Sequence, residues 1–445
     1  MPMYPESRNS VRQSIGSQLN LMVGRRTYTV TDGSTASARM EDLIIRDSSM
    51  GQGLELYVAS GGGAGQARTV VSTTPFVAGT GSIVVPHVPF STAVSTDSAI
   101  ELWRGIEASA VNGFIDDAIR NSSRRMLQPK EDYAIQLGDP LRHWGSFERW
   151  PLGAAAAPSG WTLTATGGSV AREASLVFSG RYSALVTNGN GETAYLESDN
   201  IPDFAQFAGL VVSVKAEVYT TTGARVRLQL LDGVTTHNGE LHDGLGGWNG
   251  TAGEPIKIDQ VTLSDALTQL KVRCTTLTGT VVTAYWGKVW METGIGVYEF
   301  DLPAAISPSV GDETGFAYIS DVFVESPTSP GTFNIRVLNE FWDIDGDSST
   351  RRIVFVKGKI DQYVTFGRQV KLVGQRYARL PASDTDNLEV DPEYVRLRTM
   401  YSVMDSLPWD EMDRSRRDRF DREAQAKLAD ITTAIAGDSV PVEAF

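Results

Sequence analysis

The sequence predicts a protein that is mainly β with α-helices, in which a β-sandwich interrupts a domain of helices and hairpins. The chain contains 43 glycines together with abundant threonine, serine and valine, which favours many short strands joined by tight turns. Helical patterns occur in the first and last parts, whereas the middle third alternates with a period of two. A chain of 445 residues exceeds one compact unit, which favours two or three domains.

The first part, residues 1–145, is predicted to contain hairpins followed by a helix. Two strand-like segments, 54–58 and 68–71, flank a run in which four of five residues are glycine, 61–65. This run lacks the third glycine of a phosphate-binding G-x-G-x-x-G pattern, so it is interpreted as a hairpin turn. Residues 106–126 follow the helical period and predict an amphipathic helix.

The middle part, residues 146–294, is predicted to be the inserted sandwich. Residues 210–218 and 226–230 alternate between apolar and polar side chains, as strands do when one face lies in a core. Cys274 falls on the apolar side of such an alternation and is interpreted as a small buried hydrophobe. As the only cysteine, it rules out an intrachain disulfide and a cysteine-based metal cluster.

The last part, residues 295–445, is predicted to fold together with the first part. It contains further strands and then two helices, 391–404 and 410–436, of which the first begins with Asp391 as a cap and Pro392 in the first turn. The second helix mixes acidic residues and arginines in its first turns. This charged face is either a solvated, ion-paired surface or a docking face for a neighbouring subunit.

No motif in the sequence indicates catalysis, a metal or a cofactor, so a non-enzymatic protein is predicted. Asp343, Asp345 and Asp347 have the first three spacings of a calcium loop and are weak metal candidates. Gly346 stands two places too early in that pattern, and Val354 replaces the closing glutamate. An ordinary acidic hairpin turn is therefore favoured there.

The aromatic residues of the middle part allow two interpretations. Trp150, Trp161, Tyr182 and Trp290 are predicted to fill the sandwich core, because aromatic side chains dominate the buried area of small cores. A second group either packs in the same way or forms a platform on which a sugar ring stacks. Its members are Tyr219, Trp248 and Trp286.

Charge and hydropathy exclude some classes of function. The net charge of −14 argues against a general nucleic-acid binder, although it is compatible with a local basic lining. No apolar run reaches membrane-spanning length, and the first residues lack the pattern of a signal peptide. The protein is therefore expected to fold in a reducing cytosol.

The middle part resembles the jelly rolls of carbohydrate-binding modules. The resemblance is carried by Phe147, Glu148 and Trp150, by 160–161, by 179–185 and by the closing strand 284–292. It covers about a third of the chain. At the turn before the last strand, Gly287 and Lys288 replace the acidic residue that these modules usually carry.

The flanking parts resemble virion structural proteins of tailed bacteriophages. Segments 57–70 and 95–102 are similar to a pattern of neck and tail proteins, and 351–355, 374–378 and 391–394 are similar to the end of head-to-tail connectors. The resemblance implies a ring-shaped homo-oligomer in the virion neck, matching the twelvefold portal and assembled in the host cytoplasm. It also implies contacts with portal and tail or nozzle proteins, an outward jelly roll, and packaged DNA passing through the channel without sequence recognition.

Two alternatives accompany this connector hypothesis. In the first, the protein is a phage fibre or receptor-binding protein, and the jelly roll attaches to host surface polysaccharide through Trp248, Trp286 and Tyr219. In the second, it is a glycan-cleaving enzyme, which the sequence disfavours because no facing acid pair can be recognised.

Overall fold

The computed structural model of the protein describes residues 6–25, 27–49, 51–78, 80–123, 126–248, 254–303, 315–346, 351–363, 367–407 and 411–438. The chain forms two compact units. One combines Met1–Gln128 with Tyr377–Phe445, and the other is the continuous segment Pro129–Arg376. No described helix is long and apolar enough to cross a bilayer.

The first unit contains a seven-stranded antiparallel sheet in the order β1-β7-β4-β5-β6-β3-β2. The consecutive strands β1 and β2 stand at opposite ends of this order. The Val30 N–H donates to Ser98 O and the Thr31 N–H donates to Arg39 O, so this one segment closes the sheet into a barrel. The strands are β1 (Tyr28–Thr29), β2 (Asp32–Gly33), β3 (Ala38–Met40), β4 (Glu55–Ser60), β5 (Ala67–Thr73), β6 (Ser82–Pro86) and β7 (Ala99–Trp103).

The glycine-rich run forms the turn between β4 and β5, which pair antiparallel, so the hairpin prediction is confirmed. Gly61, Gly63 and Gly65 all have positive φ, between 78° and 84°, a conformation that side chains disfavour. The interior of the barrel is apolar and includes Met40, Leu56, Val84 and Ile100.

The described residues of the first unit also form four α-helices: α1 (Arg8–Gln18), α2 (Ala108–Ser123), α3 (Pro392–Ser406) and α4 (Glu411–Asp438). The helices predicted at 106–126, 391–404 and 410–436 are confirmed to within three residues at each end. The Asp391 carboxylate caps α3 by accepting the N–H groups of Glu393 and Tyr394. All four helices contribute apolar side chains to one core.

A buried ionic network joins the beginning and the end of the chain in this unit. The Arg12 guanidinium, which has no solvent exposure, donates to both Glu101 carboxylate oxygens at 2.9 and 3.0 Å and to Asp384 Oδ2 at 2.6 Å. Trp103 Nε1 also donates to Glu101, at 2.8 Å. The first and last segments therefore share one core, in which a helix, a barrel strand and a C-terminal loop meet.

The second unit contains the predicted sandwich. Two five-stranded antiparallel sheets, β10-β11-β18-β13-β16 and β15-β14-β17-β12-β9, enclose one apolar core. Their strands are β9 (Trp161–Ala165), β10 (Ser169–Glu173), β11 (Ser183–Thr187), β12 (Ala194–Ser198), β13 (Val211–Tyr219), β14 (Val226–Leu231), β15 (Thr236–Leu241), β16 (Ile256–Thr262), β17 (Lys271–Thr276) and β18 (Thr283–Glu292).

The sandwich core contains several residues that the sequence placed there. Trp150, Trp161 and Cys274 are buried in it, which confirms their predicted places, and Tyr182 packs against it while half-buried. Trp290 is also buried, but it lies on the outer face of its sheet.

The same unit holds two smaller sheets, which were predicted from the sequence to fold with the terminal segments. A four-stranded sheet has the order β21-β20-β24-β8, and a three-stranded sheet the order β19-β23-β22. Their strands are β8 (Gln128–Gln136), β19 (Glu299–Asp301), β20 (Tyr318–Ser326), β21 (Ser329–Val337), β22 (Trp342–Asp345), β23 (Arg352–Phe355) and β24 (Gln369–Arg376).

The unit boundaries of the structure consequently differ from the predicted ones at 145/146 and 294/295. They lie at 128/129 and 376/377, because β8 pairs with β24 and these strands share a core with β19–β23. The strands from 299 to 376 thus belong to the unit of the sandwich.

Candidate functional site

The candidate site lies on the outer face of the sheet β10-β11-β18-β13-β16. Along β13, Val214, Ala216 and Val218 point into the core, so Glu217 and Tyr219 point outward. The register with β18 shifts at this place, because Glu217 pairs with Lys288 whereas Val218 pairs with Trp286. The extra residue, Gly287, forms a bulge that lets both Tyr285 and Lys288 face outward.

Four half-buried aromatic rings meet on this face, and we call them the aromatic cluster: Phe178, Tyr219, Trp248 and Tyr285. The ring centroids of Tyr219 and Tyr285, which pair across β13 and β18, are 5.8 Å apart. Trp248 lies 6.0 Å from Tyr219 and 5.7 Å from Phe178. These distances are typical of edge-to-face and tilted aromatic contacts.

The position of Trp248 depends on Gly287. A backbone bridge pairs Trp248 with Tyr219, so the indole folds over the bulge. A Cβ atom at Gly287 would lie 2.8 Å from a Trp248 ring carbon and 2.6 Å from Phe178 Cβ. Glycine is therefore the residue that permits these rings to approach the sheet.

A buried carboxylate lies beside the aromatic cluster. Glu217 is only 6% exposed, and its Oε2 atom has no hydrogen-bond partner among the described residues. Burial raises the pKa of Glu217 to about 7, against the opposing attraction of Lys288. An unpartnered buried acceptor of this kind is costly unless a ligand or a water molecule satisfies it.

The rest of this face is covered by the four-stranded sheet of the same unit. The Lys288 ammonium pairs with Glu325 of β20 at 3.2 Å, and both side chains are less than 8% exposed. The Ser179 hydroxyl, next to Phe178 in the chain, bonds to Glu325 and to Gln369 of β24. These contacts hold one end of the aromatic cluster against the second sheet.

The structure brings together two of the three aromatic residues proposed for a sugar platform. Tyr219 and Trp248 are neighbours, but the prediction is wrong for Trp286, which has no exposed surface and packs in the sandwich core. Tyr285, the residue before Trp286 on β18, faces outward instead. Neither Tyr285 nor Phe178 was predicted as a site residue from the sequence. The signal for Tyr285 was available, because Val282, Ala284 and Trp286 form one apolar alternation that leaves Tyr285 on the other face.

The weak metal candidates do not form a site in the described residues. Asp343 and Asp345 are exposed on β22, and each carboxylate accepts the backbone N–H of the next residue at 2.8 Å. Asp347 lies outside the described residues. No group of three metal-ligating side chains that could hold an ion occurs in the described part of the chain.

Comparison with known proteins gives likenesses to solved structures alone. No family model and no curated protein matches the chain. A carbohydrate-binding module in complex with β-1,4-galactotriose is 14% identical with a TM-score of 0.24, covering 30% of this chain and 89% of that one. The C-terminal family 22 carbohydrate-binding module of a Clostridium thermocellum protein is 16% identical with a TM-score of 0.23, covering 31% and 89%.

A bacteriophage structure shows a likeness of the same size. Tailspike protein 4 of bacteriophage CBA120 is 14% identical with a TM-score of 0.24, covering 30% of this chain and 19% of the tailspike. At these scores the likenesses carry no argument about function.

Proposed function

We propose that this chain is a non-enzymatic virion protein of a tailed bacteriophage whose sandwich binds a glycan of the host surface. The observation that carries the proposal is the aromatic cluster, with the unpartnered Glu217 carboxylate beside it. The bacteriophage assignment is supported by the sequence resemblance of the flanking parts. The proposed location is the neck or tail region of the virion.

The chemistry of the aromatic cluster suits a sugar. Pyranose rings present C–H groups on one face, which pack on aromatic rings, and hydroxyls at their edges, which need hydrogen-bond partners. Tyr219 and Tyr285 are held by neighbouring strands of a five-stranded sheet, so ordering them costs little side-chain entropy on binding. The Glu217 carboxylate lies next to these rings, with its Oε2 atom unpartnered but enclosed by protein.

The proposal includes no catalysis. Glycoside hydrolysis needs two carboxyl groups that face each other across a substrate. The carboxylate near Glu217 is that of Glu325, which is engaged by Lys288, Ser179 and the backbone N–H of Gly331. Such a group serves to hold two sheets together.

Glycan binding is tested on an array of purified bacterial surface polysaccharides and defined oligosaccharides, probed with the full chain. Trp248→Ala and Tyr219→Ala should each lower the affinity for any hit at least tenfold, since each removes one wall of the cluster. Tyr195→Ala is the matched control, because Tyr195 lies on β12 of the other sheet beneath Arg273. Equal binding by all three variants, or no hit at all, would overturn the proposal.

A second candidate function is the head-to-tail connector, a ring that matches the portal and contacts portal and tail or nozzle proteins. It is favoured by the first unit, in which α4 carries a series of exposed ion pairs, such as Arg417–Asp418 and Arg419–Glu423, suited to a neighbouring subunit. Light scattering combined with negative-stain images separates the two functions. Closed rings support the connector, whereas elongated trimers support a fibre. In the connector, DNA would pass through the ring without sequence recognition.

A further inference from the structure

One side of the barrel in the first unit exposes an apolar surface. The large hydrophobic side chains that remain exposed among the described residues of this unit all come from one stretch of the chain, and we call them the barrel face. They are Ile44 at 65%, Val71 at 46%, Phe76 at 37%, Val77 at 60% and Val88 at 54% exposure. The barrel has a separate apolar interior, so its own core does not account for this surface.

The strand pairing connects these side chains into one strip. On β6, Val84 lies in the interior, so the half-buried residues on either side of it, Ile83 and Val85, point outward. Val85 pairs with the residue after Val71, at a bulge in β5 in which Val71 is the extra residue. Val71, Val85 and Ile83 therefore form continuous apolar surface across the two strands.

Backbone hydrogen bonds extend this strip in both directions. After β5, the Phe76 N–H donates to the carbonyl of the residue that follows Ile44, at 2.7 Å, and so brings Phe76 beside Ile44. In the other direction, the N–H of the residue before Val88 donates to Thr69 O of β5, also at 2.7 Å. Val71 consequently lies in the middle of the barrel face, between Val88 and Phe76.

The size of the barrel face corresponds to one side of a protein interface. Its five side chains expose roughly 400 Å² of apolar surface, a size at which surface patches are often functional. A standard interface buries about 800 Å² per partner, of which a little more than half is apolar. Because the barrel is closed, a partner packs on these side chains and not on an unpaired strand edge.

The charges that border the barrel face favour a second copy of the chain as the partner. Arg39 and Arg46 supply positive charge there, and the exposed Glu41, Asp42 and Asp47 supply negative charge. The whole chain carries a net charge of −14, so most of its surface repels a second copy, whereas the two signs nearly balance at this border. A rotation by 180° can set the arginines of one copy against the acids of the other.

We propose that two copies of the chain pair through their barrel faces about a twofold axis. In such an isologous contact the same surface serves on both sides, so no second complementary surface is needed. Among its described residues, the first unit offers no other group of exposed large hydrophobic side chains that could receive the barrel face of a neighbour. This pairing goes beyond the proposed function and does not depend on glycan binding.

Self-association of the full chain is measured by size exclusion with light scattering from about 0.5 to about 50 µM, the range in which an interface of this size is expected to dissociate. We expect a concentration-dependent dimer. Val71→Glu and Ile44→Glu each place a charge in the contact and should weaken dimerisation at least tenfold. Val234→Glu is the matched control, because Val234 is 63% exposed in the turn between β14 and β15 of the second unit.

Circular dichroism melting establishes that each variant is folded, and the glycan array establishes that the second unit is unchanged. A parent protein that stays monomeric at the highest concentration leaves the barrel face to a different partner and overturns the proposal. Folded Val71→Glu and Ile44→Glu variants that associate as the parent does overturn it as well, because another surface then holds the copies together.

A cysteine in the middle of the barrel face tests the twofold axis. Val71→Cys provides the one thiol that a reagent can reach, since Cys274 has no exposed surface. In an isologous contact the two substituted positions lie close together, so a short bis-maleimide should join the copies into covalent dimers, whereas Val234→Cys should give none. Association of Val71→Cys without this cross-link means that two different surfaces meet, which overturns the twofold pairing.

Discussion

Replacing Arg12 is expected to destabilise the first unit far more than replacing an exposed arginine. Arg12→Met leaves the Glu101 and Asp384 carboxylates buried without their shared cation, and breaking a buried pair in this way costs about 3–5 kcal/mol. Trp103 still donates to Glu101, and Arg8 still pairs with Asp384 at 2.9 Å, which places the loss near the lower limit, about 3 kcal/mol.

For a unit of this size, a loss of about 3 kcal/mol lowers the melting temperature by roughly 6–12 °C. Differential scanning calorimetry of the full chain measures the transition of each unit. Arg417→Met is the matched control, because its ion pairs with Asp405 and Asp418 are on the surface, where solvent screens them. If Arg12→Met shifted the transition no more than this control, the network would not stabilise the first unit as described.

Three further predictions concern the second unit. Gly287→Ala should expel Trp248 from the bulge, because the added Cβ takes the space of the indole ring. We expect glycan affinity on the array to fall at least tenfold, and the melting temperature measured by circular dichroism to stay close to that of the parent. Unchanged binding would contradict the role of the bulge. Burial raises the pKa of Asp139 to about 8 and that of Glu148 to about 7, so the stability they contribute is complete below pH 4 and is lost as the pH rises through 7–8. The melting temperature should fall from pH 5 to pH 8.5 by the equivalent of roughly 4–7 kcal/mol. Asp139→Asn should flatten this profile, and an equally steep profile in the variant would count against it. Burial also raises the pKa of the Cys274 thiol, so Ellman's reagent should react with it only in denaturant, and rapid labelling of the native protein would show that the core is open.

The elements that the sequence predicted well are those whose signals are local. The helices at 106–126, 391–404 and 410–436 were found because the apolar period and, for α3, the Asp391 cap lie within a few residues of each other. The sandwich strands were found because alternation along a single strand reveals which face is buried. Cys274 was placed in the core by the same alternation.

Other features depend on residues far apart in sequence and could not be predicted in this way. The strands from 299 to 376 follow the sandwich in sequence, but whether they join it or the terminal helices is decided by the pairing of β8 with β24. The bulge at Gly287, which brings Lys288 to the same face as Tyr285, appears only in the register of β18 with β13. The burial of Glu217 arises from the covering sheet, which no pattern along β13 reveals.

The span of the Arg12–Asp384 contact has a consequence for biosynthesis. The two residues are 372 positions apart, so a ribosome that adds about 5–20 residues per second delivers the second one roughly 20–70 s after the first. During that interval Pro129–Arg376, which is one uninterrupted stretch, has been made in full, whereas Arg12 has Glu101 available but still lacks Asp384. The second unit can therefore complete its fold before the first unit, which needs the segment that begins at Tyr377.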